Sequence, residues 1–275
     1  MMKHFLLLTT FGLFCITFLL QGCATQALGV NESIPHVYAS TVCTVAPPGT
    51  NPDQEGLCSE VRLELPEYPK APWLNDLLAD ALIEPFFSEF ETSTLPEKIA
   101  YPKRVDRLAA SFKEETVSYT GKLTQTGQTQ HWAQFAFESY LLSSGAAHGI
   151  PSLSMVVVDT STHTLQSLSS ILVSEDKMLL LSERLKEAYR VWLKRSTSLN
   201  DAEINQWAEH NYDGSRLPNE TFPVAQNWQF SSGGLSFVYG TYAIAPYSFG
   251  FPKLDVPKSE LQDIIRADIL NAIPE

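Results

Sequence analysis

The cysteines are the residues whose type and spacing most directly suggest chemistry. Cys23 ends the sequence Leu20-Gln21-Gly22-Cys23, which follows the apolar run at residues 5–20. A charged start, a short apolar region and small residues before a cleavage point are typical of a secretory signal. A cysteine right after that point is typical of a bacterial lipoprotein. We therefore predict a signal peptide over residues 1–22 and a lipid on the sulfur of Cys23. An uncleaved membrane anchor and a signal cut elsewhere are the alternatives.

A lipid on Cys23 predicts where the chain is held. It would anchor the protein to a cell membrane, facing the periplasm or the cell exterior. Ala24 after the cysteine favours the outer membrane if the cell is Gram-negative. One acyl chain anchors only weakly, so several acyl groups are expected. The formal net charge of −12 argues against nucleic acid as a partner and suits a basic protein. A role of the charge in solubility alone is the alternative.

Two further cysteines, Cys43 and Cys58, remain after Cys15 leaves with the signal. An even pair in an exported chain predicts a disulfide bond. Two free thiols or a metal-binding pair are the alternatives. Because no histidine or third cysteine lies near them, we expect the disulfide.

Among the histidines, His148 has the most distinctive setting, Gly145-Ala146-Ala147-His148-Gly149. Its ring could meet a ligand or a metal, or could hydrogen-bond the backbone of a turn. Ser174 and Lys177 match the Ser-x-x-Lys spacing of penicillin-recognising enzymes, but the companion Ser-Asp-Asn and Lys-Thr-Gly sequences are absent. We therefore predict no catalytic residue, no metal site and no cofactor, and we expect Ser174 to cap a helix.

Aromatic residues are dense near the end of the chain. They could form a platform for a sugar or a peptide, because amphipathic rings bury area and keep a polar tip. Alternation along 228–239 is also what an ordinary buried sheet face requires. The residues are Trp228, Phe230, Phe237, Tyr239, Tyr242, Tyr247, Phe249 and Phe251.

Hydrophobic periodicity predicts the elements that position these residues. Strands are predicted at 60–65, 117–123 and 131–142, the second and third joined around Gly127. A continuous apolar run predicts a central strand at 153–159. Apolar stripes predict helices at 72–84, ended or kinked by Pro85, and at 104–113, 175–195 and 259–273. Asn200 and Glu203 resemble a capping box, and 228–239 matches a hairpin.

Interspersed helices and strands joined by tight turns favour an α+β fold, an antiparallel sheet with packed helices. An arrangement into two small α/β lobes is an alternative. We divide the chain into a signal peptide (1–22), a tether with the disulfide loop (23–57), an N-terminal α+β lobe (58–142) and a C-terminal domain (143–275).

The C-terminal segment resembles a known family. The matching sequences are Gly145–Gly149, Asp159, Leu168 to Leu172, Trp228-Gln229-Phe230, Gly233-Gly234-Leu235, Phe237, Tyr239, Tyr242-Ala243-Ile244-Ala245-Pro246-Tyr247 and Gly250-Phe251-Pro252. They resemble the domain of unknown function in the exported half of the anti-sigma factor RsiV and in the peptidoglycan deacetylase PdaC. Two positions depart from the family pattern: Ala146 replaces a glycine, and Ala243 stands where an acid is usual.

The resemblance implies an envelope-facing module, which in RsiV resembles a receptor for lysozyme. Only four residues precede the apolar run, so we expect no anti-sigma activity, and no deacetylase domain fits. We expect a non-enzymatic module that binds a lysozyme-like protein or a cell-wall glycan (a peptidoglycan fragment) through His148, Gly149, Tyr242, Pro246 and Tyr247. A cell-wall hydrolase using His148 and a purely structural lipoprotein are the alternatives.

Overall fold

The computed structural model describes residues 32–43, 58–90, 101–112, 116–210 and 221–275. The predicted signal peptide and Cys23 lie outside these residues. The fold is α+β, as the sequence predicts, with one six-stranded and one three-stranded sheet. Among the helices that the structure describes, none combines the length and apolar character that crossing a membrane requires.

The six-stranded sheet has its strands in chain order. They are β1 (Ile34–Cys43), β2 (Cys58–Glu67), β3 (Val117–Thr129), β4 (Trp132–Ser143), β5 (Ile150–Asp159) and β6 (Thr164–Gln166). Neighbours pair antiparallel except β2 and β3, which are parallel. That crossover carries the helical segment between the two strands, so the sheet is not purely antiparallel.

The tether predicted over residues 23–57 is wrong at 34–43, which form the edge strand β1. Cys43 lies directly opposite Cys58 in the β1–β2 register, and the two form the predicted disulfide bond. An edge strand joins its neighbour through backbone hydrogen bonds and buries little side-chain area, so its hydrophobic signal is weak.

The helical segment after β2 continues through Pro85. It consists of α1 (Pro72–Leu78), a π-helix (Ala79–Ile83) and α2 (Glu84–Phe90), followed by α3 (Tyr101–Ser111). In a regular α-helix a proline ring clashes with the carbonyl group four residues earlier. The wider π turn directly precedes Pro85 and accommodates it, so the proline does not end the helix.

Strand β3 extends further than predicted. Gly127 does not form the turn but lies beside a bulge between Gln125 and Gly127. The chain reverses instead at Gln130 and His131, and Gln130 adopts a φ of 50°. A bulge inserts an extra residue without ending the pairing, which is why the glycine did not mark the end of the strand.

The sheet separates two hydrophobic cores. Ala133, Phe135 and Phe137 of β4 point to the core shared with α1–α3. Trp132 points the other way, to the core formed with the C-terminal elements. The boundary predicted at 142/143 falls at the end of β4, which pairs with β5 across it. Both cores therefore share one sheet.

The second core is closed by the C-terminal elements. These are α4 (Leu168–Ile171), α5 (Lys177–Ser196), α6 (Asp201–Glu209), β7 (Asn227–Ser231), β8 (Gly234–Val238), a 3₁₀ helix (Tyr247–Phe249), β9 (Lys253–Pro257), α7 (Lys258–Leu261) and α8 (Ala267–Ala272). Strands β7, β8 and β9 form the antiparallel three-stranded sheet, which contains the predicted hairpin.

Of the two predicted helix caps, one is confirmed and one is wrong. Asn200 and Glu203 form the predicted capping box of α6. The Ser174 cap is wrong, because α5 begins later, with Asp176 at its N-cap and no side-chain capping bond. The Ser174 carbonyl oxygen instead accepts a hydrogen bond from the Lys177 amide at 3.1 Å.

The single helix predicted at 259–273 is also wrong, because a turn at residues 262–264 and a β-bridge at Ile265 interrupt it. Ile265 forms a β-bridge with Leu172. The Val173 amide donates to the Ile264 carbonyl oxygen at 2.9 Å, and the Arg266 amide donates to that of Ile171 at 2.9 Å. These hydrogen bonds to a distant segment take the place of the helical hydrogen bonds that the periodicity predicts.

Candidate functional site

The turn between β4 and β5 positions His148. Gly149 is buried, and its amide donates a hydrogen bond to the Tyr140 hydroxyl group at 2.9 Å. A Cβ atom at residue 149 would overlap the Tyr140 ring, so glycine allows this close approach. The turn thereby presents the His148 ring at the surface.

The segment between β8 and β9 comes to the same place. Ile244 and Ala245 are buried, and the Tyr189 hydroxyl group of α5 donates to the Ile244 carbonyl oxygen at 2.6 Å. These contacts anchor the segment to the C-terminal core. Pro246 then stands at the N-cap of the 3₁₀ helix that begins with Tyr247.

Tyr247 joins the two segments. Its hydroxyl group donates to the Gly149 carbonyl oxygen at 3.1 Å, and its ring stacks on His148 with centroids 4.1 Å apart. Tyr242, which is 43% exposed, lies beside it with ring centroids 5.8 Å apart. Tyr242 has a φ of 64°, a conformation that costs a non-glycine residue energy.

We call His148, Tyr140, Tyr242 and Tyr247 the aromatic site. The structure brings together His148, Gly149, Tyr242, Pro246 and Tyr247, the five residues named from the sequence. Sequence reasoning missed Tyr140, although the alternation of β4 already placed it on the face opposite Phe135 and Phe137.

The His148 ring lies against the backbone of its own turn. His148 Nδ1 lies 3.0 Å from the Gly149 carbonyl oxygen, and no carboxylate within the described residues pairs with the ring. Burial, and then the neighbouring Tyr140 and Tyr242, raise the pKa of Tyr247 above its ordinary value. The Tyr247 hydroxyl group therefore stays protonated at neutral pH and acts as a hydrogen-bond donor.

Four of the remaining aromatic residues have a packing role. Trp228, Phe230, Phe237 and Tyr239 are buried in the C-terminal core. The alternative interpretation of the 228–239 alternation, an ordinary sheet face, is therefore correct. Within the described ranges, no cluster of three or more His, Cys, Asp and Glu side chains could hold a metal ion.

A groove of about 430 Å³ adjoins the aromatic site and shares Tyr140 with it. Its floor is the face of the six-stranded sheet that the C-terminal core leaves open, and Phe251 lines it from the C-terminal segment. Four charged side chains lie in it: Arg62, Glu64, Lys122 and Glu138. Sequence reasoning missed this groove because its residues come from five separate segments.

Comparison with known proteins identifies a domain of unknown function. The family model described as "Protein of unknown function (DUF3298)" matches residues 170–259. This range contains Tyr242 and Tyr247, whereas His148 precedes it. The part of the resemblance that concerns a domain of unknown function is thus confirmed, and the link to RsiV and PdaC stays a prediction.

Two solved structures of DUF3298 family proteins are similar to this chain. The protein from Pseudomonas aeruginosa PAO1 has 24% identity and a TM-score of 0.65, over 89% of this chain and 98% of that chain. The protein from Bacteroides fragilis has 13% identity and a TM-score of 0.57, over 88% of this chain and 98% of that chain. At these identities the likeness establishes a shared fold. No curated protein matches the chain significantly.

Proposed function

We propose that this protein is a lipid-anchored component of the cell envelope that binds a cell-wall glycan at the aromatic site. The observation that carries the proposal is the exposed stack of His148 on Tyr247, flanked by Tyr242 and Tyr140. Sugar rings present apolar C–H faces and polar edges. An aromatic ring with a polar tip matches both.

Two features support the envelope part of the proposal. The Leu20–Cys23 motif follows a secretory signal pattern. The Cys43–Cys58 disulfide bond suits an oxidising compartment outside the cytoplasm. Incorporation of labelled palmitate into the wild-type chain, and its loss in Cys23→Ser, tests the anchor. Labelling that persists in Cys23→Ser would contradict it.

Calorimetric titration of the Cys23→Ser chain with a short N-acetylglucosamine oligomer tests the glycan site. We expect His148→Ala and Tyr247→Ala each to weaken binding about tenfold, equivalent to about 1.4 kcal/mol. His163→Ala is the matched control, because His163 is also an exposed turn histidine stacked on an aromatic ring, that of Trp73 at 3.9 Å. Absence of binding, or equal losses in all three variants, would contradict the site.

A basic lysozyme-like protein is the second candidate ligand, because the net charge of −12 favours it. Charge-driven binding weakens as salt rises. We therefore expect capture of lysozyme by the immobilised chain at low salt to fall steeply toward physiological salt. No capture at low salt would exclude this candidate.

A further inference from the structure

We infer that the groove beside the aromatic site binds a short peptide that carries both a carboxylate and an ammonium group. The inference rests on the proposed function, because a peptide attached to a glycan at the aromatic site would reach the groove past Tyr140. Tyr140 hydrogen-bonds the turn of the aromatic site and also lines the groove.

The floor of the groove consists of two rows of cross-strand neighbours. One row runs from Arg62 through Thr120 and Tyr140 to Pro151. The other runs from Glu64 through Lys122 to Glu138. Because directly opposed side chains lie on the same face of a sheet, each row presents its residues side by side. The first row is largely uncharged beyond Arg62, and the second is charged.

Two cations of the groove, Arg62 and Lys122, share one carboxylate, that of Glu64. Glu64 lies 3.1 Å from the Arg62 guanidinium group and 3.3 Å from the Lys122 ammonium group. The hydrogen bond from Arg62, and then that from Lys122, lower the pKa of Glu64. The Arg62 and Lys122 side chains remain 45% and 60% exposed. This trio therefore carries one surplus positive charge that faces the groove.

Glu138 supplies the opposite charge. It is exposed beside Lys122 in the β3–β4 register, yet Lys122 pairs with Glu64, and no cation in the described part of the chain forms an ion pair with Glu138. The groove thus offers an anion-binding end at Lys122 and Arg62 and a cation-binding position at Glu138. A ligand with a carboxylate and an ammonium group satisfies both.

The uncharged surfaces favour a peptide over other zwitterions. Tyr140, Pro151 and Phe251 line the groove beside the charged row and can contact methyl or methylene groups of small side chains. A volume of about 430 Å³ falls within the range of small-ligand pockets. A nucleic acid does not match, because it would bring only negative charge to Glu64 and Glu138.

The test is titration of the Cys23→Ser chain with the peptide Ala-Glu-Lys-Ala, with its carboxylates and ammonium groups free. We expect Glu138→Gln and Lys122→Gln each to weaken binding about fivefold at low salt. Acetylating both amines of the peptide should give the same loss as Glu138→Gln. Glu60→Gln, an exposed carboxylate on β2 outside the groove, is the control.

The outcomes separate this inference from the proposed function. Tyr247→Ala should weaken binding of the sugar oligomer about tenfold and leave the isolated peptide's affinity unchanged. Peptide binding that is absent, or unaffected by Glu138→Gln and Lys122→Gln, would overturn the peptide site while sugar binding stands. Loss of self-association in Glu138→Gln, measured by sedimentation, would also overturn it by assigning the groove to a second copy.

Discussion

At the scale of single residues, Gly149 determines the geometry of the aromatic site. Its amide bonds the Tyr140 hydroxyl group, and its carbonyl oxygen accepts from Tyr247. One backbone position thereby connects the exposed His148 to two tyrosines. The absence of a side chain at residue 149 is what lets the Tyr140 ring lie against it.

Gly149→Ala should therefore impair binding without unfolding the protein. The added methyl group overlaps the end of the Tyr140 side chain, which is 39% exposed and free to swing outward. We expect the free energy of unfolding to change by less than about 1 kcal/mol, while affinity for the sugar oligomer falls about tenfold. Denaturant unfolding and calorimetric titration measure the two effects.

Gly240→Ala is the control for that substitution, because a Cβ atom there has no neighbour within 4 Å. It should leave both stability and sugar binding unchanged. A Gly149→Ala chain that binds the sugar as well as the wild type would show that the position of Tyr140 is irrelevant to binding.

Asp159, part of the family-like pattern, has a structural role in the β5–β6 turn. Its carboxylate accepts hydrogen bonds from the Ser161 amide at 2.9 Å, the Ser161 hydroxyl group at 2.6 Å and the Thr162 amide at 3.3 Å. Burial by itself would raise the pKa of Asp159, but the hydrogen bonds from Ser161 and Thr162 outweigh it and lower the pKa. The ionised form therefore stabilises the folded chain.

We expect Asp159→Asn to lower the free energy of unfolding by about 1 kcal/mol near pH 7, because hydrogen bonds to a charged acceptor are stronger. A carboxyl group with a lowered folded pKa stabilises above its unfolded pKa of about 4 and stops doing so as pH falls through the folded value. The difference from wild type should therefore shrink below about pH 4. Urea unfolding at neutral and acidic pH measures it.

Asp263→Asn, at an exposed position, is the control and should leave the free energy of unfolding near pH 7 within about 0.5 kcal/mol of wild type. If the free energy of unfolding of Asp159→Asn differs from that of wild type equally at neutral and acidic pH, the charge of Asp159 does not stabilise the turn.

At the scale of elements, β1 is the strand that depends most on a covalent link. Its residues are exposed or half-buried along its whole length, so burial contributes little to holding it at the edge of the sheet. The Cys43–Cys58 bond closes a loop with a sequence separation of 15 and joins the end of β1 to the start of β2.

Replacing both cysteines, in Cys43→Ser with Cys58→Ser, should lower the free energy of unfolding by about 3 kcal/mol, because the unfolded chain gains freedom. We also expect the double substitution to accelerate amide hydrogen exchange, relative to wild type, more in residues 34–43 than in β4 or β5. Thr41→Ser, an exposed change that keeps the bond, is the control. Unchanged exchange in β1 would show that backbone pairing alone holds the strand.

Element by element, prediction from sequence succeeded where the pattern is local and failed where a distant contact decides. Strand β4 and helix α5 carry strong periodicity and match their predicted ranges closely. The helix predicted at 259–273 breaks because residues 264–266 pair with residues 171–173. No feature of the C-terminal segment alone signals that pairing.

At the scale of the whole molecule, one sheet serves two cores. The β7 residue Asn227 ties the C-terminal part to β5, accepting from the Met155 amide at 2.9 Å and donating to the Leu153 carbonyl oxygen at 3.0 Å. Gln134 of β4 accepts from the Phe230 amide at 2.6 Å. Through Gln134 and Trp132, the C-terminal core therefore depends on β4, which precedes the boundary predicted at 142/143.

We expect a fragment of residues 143–275 to lack a cooperative unfolding transition. Without β4 it loses Trp132, a fully buried ring of the C-terminal core, and truncation of such a ring alone costs about 3 to 5 kcal/mol. Calorimetry of the fragment, beside a chain of residues 32–275 as control, checks this. A sharp transition in the fragment would establish 143–275 as an independent domain.

For the candidate site, as for the fold, local sequence predicted one part and only the structure showed the rest. His148 with its glycines and the 242–247 segment were named from local sequence, because turns rich in glycine, proline and tyrosine stand out. Their stacking against each other, and the inclusion of Tyr140, required the structure. The groove could not be predicted, since Arg62, Lys122, Glu138 and Phe251 have no shared local pattern.

The sequence by itself determined the α+β class, the disulfide pair, the alternating strands and the turn residues of the aromatic site. These depend on side-chain periodicity, on cysteine count and on local backbone preferences, all of which act over a few residues. Only the tertiary structure decided which strands share a sheet, where the last helix breaks, and that charges from β2, β3 and β4 face Phe251 in one groove. Those outcomes depend on pairing between distant segments, which the sequence pattern of either segment alone does not indicate.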